Sequence, residues 1–182
     1  MGKIKKIHTP LDKKTILSLK HGDKIFLSGK IFALRDQAHL RITQLFKNGK
    51  KIPFDIKGKV IYYCGPTPAK NRIIGSCGPT TSGRMDKFTG VLLNKGLAGM
   101  IGKGSRSKDV IQAIKSNGAV YFIAPAGAGA YLSEKVTSCR MIAFKDLGPE
   151  AVYELEVLNF PLVVAVDRKG KNIYDRLQMN CK

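Results

Sequence analysis

No tryptophan and no C-x-x-C pair occur in this chain of 182 residues, acidic residues are scarce, and no long apolar run is present. Each absence removes a class of protein. Cys64, Cys77, Cys139 and Cys181 stand far apart, whereas zinc and iron–sulfur ligands come in tighter sets, so no metal site is assigned to this chain. Four scattered thiols without an export signal read as reduced cysteines, not as a disulfide frame. Nothing approaches the roughly 20 consecutive apolar residues that span a bilayer. The most apolar stretch, Ala119 to Leu132, is interrupted by Pro125, Gly127 and Gly129. The basic N-terminus MGKIKKIHTPLDKK lacks the apolar core of a signal peptide, so a cytoplasmic protein that does not touch membrane is expected.

What is present describes a globule. Hydrophobic residues are 43% and charged residues 25%, which excludes a mainly disordered or fibrous chain. The length fits one domain spanning 1–182, with residues 1–20 read as an extended arm. There are 32 Lys and Arg against 13 Asp and Glu, a net charge of +19. That charge favours phosphate backbones, but it equally steers a small dianion or docks an acidic subunit. The lysines are scattered in short doublets, and no aromatic sheet motif, Cys/His finger or helix-turn-helix accompanies them, so nucleic acid is not the favoured partner.

Strands alternate with helices through the middle of the chain and crowd its end, which predicts an α/β fold. Strands are expected over 24–32, 58–63, 97–101, 119–124, 139–144, 153–157 and 161–166, the last two separated by Asn159-Phe160-Pro161. Helices are expected over 35–46, from Thr80 or Thr81 to Gly96, and from a Ser107 cap to Asn117-Gly118.

The chemistry sits in glycine-rich loops that follow strands, where α/β sheets present ligands. Gly78 lets the backbone approach a ligand closely, and Pro79 rigidifies the approach. Thr80 and Thr81 bring hydroxyls and amides to an expected helix N-terminus, and Arg84 follows one turn later. Lys103 lies between Gly102 and Gly104, and Arg35 opens a helix at another strand end. Arg35, Arg84 and Lys103 around Thr80 suit a small dicarboxylate, because guanidinium forks hold carboxylates through two parallel bonds. A plain structural reading competes with this one. In it Thr80 is a cap, Arg84 and Lys103 are solvated, His39 is a satisfied surface histidine, and Asp36 and Asp86 are first-turn carboxylates. No Ser–His–Asp set and no convincing acid–base pair accompany the cations, so the chain looks like half an active site.

Five segments occur in order: Leu34-Arg35-Asp36-Gln37-Ala38-His39, Tyr63-Cys64-Gly65-Pro66, Gly78-Pro79-Thr80-Thr81-Ser82-Gly83-Arg84-Met85-Asp86, Gly102-Lys103-Gly104, and Asn159-Phe160-Pro161 through Asp167. They resemble the β subunit, or C-terminal domain, of class I (iron–sulfur) fumarate hydratases and L(+)-tartrate dehydratases, over about Pro10 to Tyr174. The resemblance implies a swivelling β/β/α domain that closes over a [4Fe–4S] cluster held by three cysteines of an α subunit. It implies reversible hydration of fumarate to (S)-malate, or dehydration of L-tartrate to oxaloacetate. Arg35, Arg84 and Lys103 would then grip substrate carboxylates beside Gly78, with Thr80 as the catalytic base or proton relay. An aspartate of the α subunit would be the acid, Cys64 would not be a cluster ligand, and the assembly would be (αβ)2. The competing functions are the same scaffold acting on tartrate or mesaconate, and a basic nucleic-acid-binding module.

Overall fold

Alternation decides which way each strand points. In Val60-Ile61-Tyr62-Tyr63, Val60 and Tyr62 join one buried cluster while Ile61 and Tyr63 join another. Val120 and Phe122 likewise face one way, with Tyr121 between them facing the other. The chain therefore has two cores separated by one sheet.

The computed structural model describes residues 3–175. In chain order the elements are β1 (Lys5–His8), α1 (Lys13–Ser18), β2 (Lys24–Ala33), α2 (Asp36–Lys47) and β3 (Val60–Tyr62). A 3-10 turn (Ser82–Met85) leads into α3 (Asp86–Asn94), followed by β4 (Gly99–Gly102), α4 (Lys108–Asn117) and β5 (Val120–Ile123). Last come α5 (Gly129–Ser133), β6 (Val136–Ala143), a second 3-10 segment (Lys145–Glu150) and β7 (Val152–Val166). The fold is mixed α/β, and no helix of the described residues is long and apolar enough to cross a membrane.

β1 and β3 lie parallel to β2, β4 parallel to β3, and β5 parallel to β4. β7 runs antiparallel to β5 and, along its other edge, to nearly the whole of β2. The pairings β2–β3–β4–β5–β7 thus close into a small barrel, and β6 continues the sheet from β7. Ile25, Leu27, Ile31, Ile101, Phe122, Leu155 and Phe160 fill its interior. Helices α2, α3 and α4 cover the outer face through Ile42, Leu92 and Ile114, packed on Ile61, Tyr63, Met100 and Tyr121. Fully burying one such Leu, Ile or Phe contributes about 1.5–3 kcal/mol.

Three expectations need correction. Residues 1–20 are not an extended arm throughout, because Lys5–His8 pair with β2 and Lys13–Ser18 form a helix capped by Asp12. The strands expected at 153–157 and 161–166 are one strand of 15 residues. Asn159 takes φ 51°, and its N–H donates to Ser28 Oγ at 3.0 Å, opposite a register shift between Leu27 and Gly29. The shift is a bulge that β7 crosses without leaving the ladder to β2. The helix expected from Thr80 starts later, for reasons given below. By contrast Ser107 does cap α4, accepting from Val110 N at 3.3 Å, and Gly118 ends it at φ 64°.

Candidate active site

The parallel strands β2, β3, β4 and β5 deliver their following loops to one rim of the barrel. Arg35 follows β2, Gly78 and Thr80 follow β3, and Lys103 follows β4. Backbone bonds tie the last two loops together: Lys103 N donates to Thr80 O at 3.3 Å and Ser82 N donates to Lys103 O at 2.9 Å. These bonds and a parallel bridge between Thr81 and Lys103 hold residues 80–81 extended. Thr80 N donates to Tyr63 O at 2.7 Å, so this amide does not open a helix or offer itself to an anion. The expected helix N-terminus at Thr80 is therefore replaced by a strand-like bridge. Thr80 itself is half-buried, and among the described residues its hydroxyl has no hydrogen-bond partner.

Arg84 reaches back across the rim to α2. Its Nε donates to Asp36 Oδ1 at 3.1 Å and its Nη2 to Asp36 Oδ2 at 2.9 Å. That fork occupies one edge of the guanidinium and leaves Nη1 for a further acceptor. Arg35, next to Asp36 in the chain, lies over Gly65. A Cβ at residue 65 would stand 2.9 Å from Arg35 Cδ and 2.9 Å from Pro149 O, so a side chain there would displace the arginine. Arg35 Nη2 is 3.8 Å from Glu150 Oε1, while its Nε is buried without an acceptor. A buried donor left unpaired costs about 1–3 kcal/mol, which marks this N–H as waiting for a partner. Lys103 is half-buried and belongs to none of the ion pairs among the described residues. Of the three expected cations, Arg84 is held by Asp36, Arg35 lies near Glu150, and Lys103 carries no carboxylate.

Gly78 is exposed on this rim, and a Cβ there would meet nothing nearer than Gly129 Cα at 3.7 Å. The fold of this chain does not require glycine at 78. His39 is corrected too, since it is fully buried and not on the surface. Its Nδ1 is 2.7 Å from Arg35 O, so Nδ1 carries the proton, and its ring packs against Tyr63 and Phe88. Burial pushes the imidazole down to about 4, so the ring is neutral near pH 7 and anchors the backbone of Arg35.

The cysteines do not fit cluster ligation. Cys64 and Cys77 are buried and Cys139 is half-buried against the barrel interior, while Cys181 lies outside the described residues. Contact with the Cys77 thiol, together with burial, pushes the Cys64 thiol far up, whereas a cluster ligand must be a thiolate. Among the described residues, no group of three or more His, Cys, Asp or Glu side chains is placed to hold a metal ion. An apolar cavity of about 450 Å³ adjoins Lys103 and Gly104, lined by Phe26, Ile123 and Leu162, but Arg35, Thr80 and Arg84 do not line it.

Sequence reasoning missed the carboxylates Asp36 and Glu150 as cation partners, and it missed Arg106 altogether. Asp36 and Arg84 are 48 residues apart, and no local signal pairs them. Arg106, in a Ser-Arg-Ser stretch that reads as solvated loop, has a side chain that is 0% exposed.

Residues 3–177 match the family described as Fumarase C-terminus. A Methanocaldococcus jannaschii protein provisionally named L(+)-tartrate dehydratase subunit beta is 40% identical over 92% of this chain and 89% of its own length. Fumarate hydratase 2 of Leishmania major is 36% identical over 92% of this chain, and the aerobic class I fumarate hydratase of Escherichia coli is 36% identical over 86%. Of those two the chain spans 30% and 29% of the length. Fumarate hydratases and tartrate dehydratases are hydro-lyases, and this chain belongs to the Fumarase C-terminus family.

Proposed function

We propose that this chain is the substrate-clamping β subunit of an iron–sulfur-dependent hydro-lyase that interconverts fumarate and (S)-malate. The observation that carries this reading is the gathering of Arg35, Thr80, Arg84 and Lys103 on one rim, with an unpaired Arg35 Nε and an uncommitted Thr80 hydroxyl. The unused edge of Arg84 and the Nε of Arg35 take carboxylate oxygens, and Lys103 adds a point charge. Gly78, exposed and without a side chain, lets the substrate lie against the backbone. On dehydration Thr80 Oγ takes the proton from one carbon while the hydroxyl on its neighbour leaves as water, protonated by an acid of the α subunit, and hydration reverses both transfers. A threonine hydroxyl is a weak base, so the neighbouring cations are what favour its ionised form. This reading assigns the [4Fe–4S] cluster to cysteines of an α subunit and not to Cys64, Cys77 or Cys139. The domain swivels over that subunit in an (αβ)2 assembly in the cytoplasm.

The archaeal relative supports a second substrate, with L-tartrate dehydrated to oxaloacetate on the same residues. The test is anaerobic co-purification of this chain with its partner from the source cells, followed by iron analysis and assays on fumarate and L-tartrate. Fumarate turnover requiring both subunits is expected, and it is lost in Arg84→Ala and Lys103→Ala. Turnover of tartrate alone moves the substrate. Absence of iron and of both activities, with nucleic acid in the eluate, sinks the proposal.

A further inference from the structure

Beneath the rim, Arg106 stands in a place that no surface loop requires. Its side chain is 0% exposed, and each of its three nitrogens has an acceptor. Nε donates to Asp86 Oδ1 at 2.8 Å, Nη1 to the Tyr63 hydroxyl at 3.2 Å, and Nη2 to Thr89 Oγ1 at 2.6 Å. The rings of Tyr63 and Tyr121 lie 5.3 and 5.0 Å from its guanidinium carbon. Asp86 holds the same loop a second time, accepting from Ser107 N at 2.8 Å. Thr89 passes the chain on by donating to Met85 O at 2.9 Å.

These groups belong to two segments that carry proposed site residues. Asp86 and Thr89 directly follow the turn bearing Arg84, and Arg106 follows Lys103 by three residues. Tyr121 of β5 bridges the same two segments. One phenol carries a single proton, so it donates to Gly104 O at 2.8 Å and accepts from Ser82 Oγ at 2.8 Å. At their point of closest approach the loops leave no slack, because a Cβ on Gly102 would stand 2.0 Å from Ser82 Oγ. A buried charge removed from water is costly to maintain, and replacing such pairs by apolar groups is often neutral or stabilising, so stability alone does not account for it.

We propose that Arg106, with Asp86 and Tyr121, is a positioning joint that sets Lys103 against Thr80 and Arg84. Arg106 does not touch substrate; it acts through the two loops it holds. The inference rests on the hydro-lyase reading for its kinetic consequence and on loop geometry alone for its structural one. An ammonium cannot serve in its place, because only the planar fork reaches Asp86, Tyr63 and Thr89 at once.

The test uses this chain assembled with its partner subunit, as wild type, Tyr121→Phe, Arg106→Lys and Arg106→Met, well below each melting temperature. Two readouts are taken: kcat with KM, and hydrogen exchange at the Lys103 and Ser82 amides. Tyr121→Phe loses one hydroxyl at constant shape, so it keeps the test valid if Arg106→Met folds poorly. Misplacement of catalytic groups by about 1 Å lowers rate about a hundredfold, so kcat is expected to fall about tenfold to a hundredfold, with KM moving less than about threefold. Arg106→Lys is expected not to restore it. Both amides are expected to exchange faster in every variant, while the α4 amides hold. Unchanged kcat in all three variants, with only a lower melting temperature, overturns the joint, as does unchanged exchange at Lys103 and Ser82. If the wild-type assembly turns over neither fumarate nor tartrate while the two amides exchange faster in the variants, the hydro-lyase reading fails and the joint stands.

Discussion

Arg84 and Arg106 each pair with an aspartate, in opposite surroundings. Each holds an aspartate at short range, Arg84 to Asp36 at 2.9 Å and Arg106 to Asp86 at 2.8 Å. The Arg84 side chain is 51% exposed and that of Arg106 is 0% exposed. On the wet rim, water stands ready to replace either partner, and such a pair is worth about 0–1 kcal/mol. An arginine whose bond to Asp36 is so easily exchanged can turn to an incoming carboxylate without a large penalty. Beneath the rim the Arg106 guanidinium is closed off from water, so a lost Asp86 is not replaced there and the bond is a fixture. Exposure makes the rim pair exchangeable, and burial makes the pair under it lasting.

The largest effect that tests this contrast comes from breaking the buried pair. Arg106→Met leaves Asp86 without its partner and is expected to lower unfolding free energy by about 3–5 kcal/mol in urea titration. A loss no greater than that of an exposed pair would erase the distinction. His39 comes next, buried directly under Arg35. Its folded pKa of about 4 lies below the ordinary imidazole value of about 6.5, so the unfolded chain binds the extra proton. Stability is therefore full above about pH 6.5 and falls as pH drops toward 4, by on the order of 3 kcal/mol in all. His39→Phe is expected to flatten that part of the pH–stability curve, and an unflattened curve would assign the slope to other groups.

Gly102→Ala should follow, at about 1–3 kcal/mol, because the added methyl meets Ser82 Oγ and the Tyr63 ring at 2.0 and 2.9 Å. Arg84→Ala is expected to change stability by less than about 1 kcal/mol while cutting turnover of the assembled enzyme. A loss near that of Arg106→Met would show the exposed pair to be structural. Gly78→Ala should be the smallest, with no measurable change in melting temperature, since its Cβ makes only an ordinary contact with Gly129 Cα at 3.7 Å within this chain. Any effect it has belongs to ligand or partner, seen as a raised KM in the assembled enzyme.

Much of the scaffold was legible in the sequence where a residue reports on its own neighbours. β2, expected over 24–32, runs from Lys24 to Ala33, and α4 begins after Ser107 and stops at Gly118 as capping chemistry requires. The signals there are local: alternation, a hydroxyl at the cap, a glycine at positive φ. Of the rim, Gly78, Thr80, Arg84 and Lys103 are legible in glycine-rich loops after strands, and Arg35 at a helix start beside a strand end. The arrangement around them is not. The helix expected at Thr80 gave way to a bridge with Lys103, because Tyr63 O and Lys103 O take the very amides that would have begun it. His39 was placed on the surface by its polarity and is sealed by Tyr63 and Phe88 instead.

By itself the sequence determined the alternation of strands and helices, the loops that carry chemistry, the excess of positive charge and the family. Each of these is written in residue type and spacing over a few turns of chain. Only the tertiary structure decided which cations keep a carboxylate of their own, that β2 and β7 pair to close a barrel, and that Arg106 is buried while Arg84 is not. Those outcomes depend on residues brought together from distant parts of the chain, where burial sets the strength of an ion pair and spacing along the chain does not.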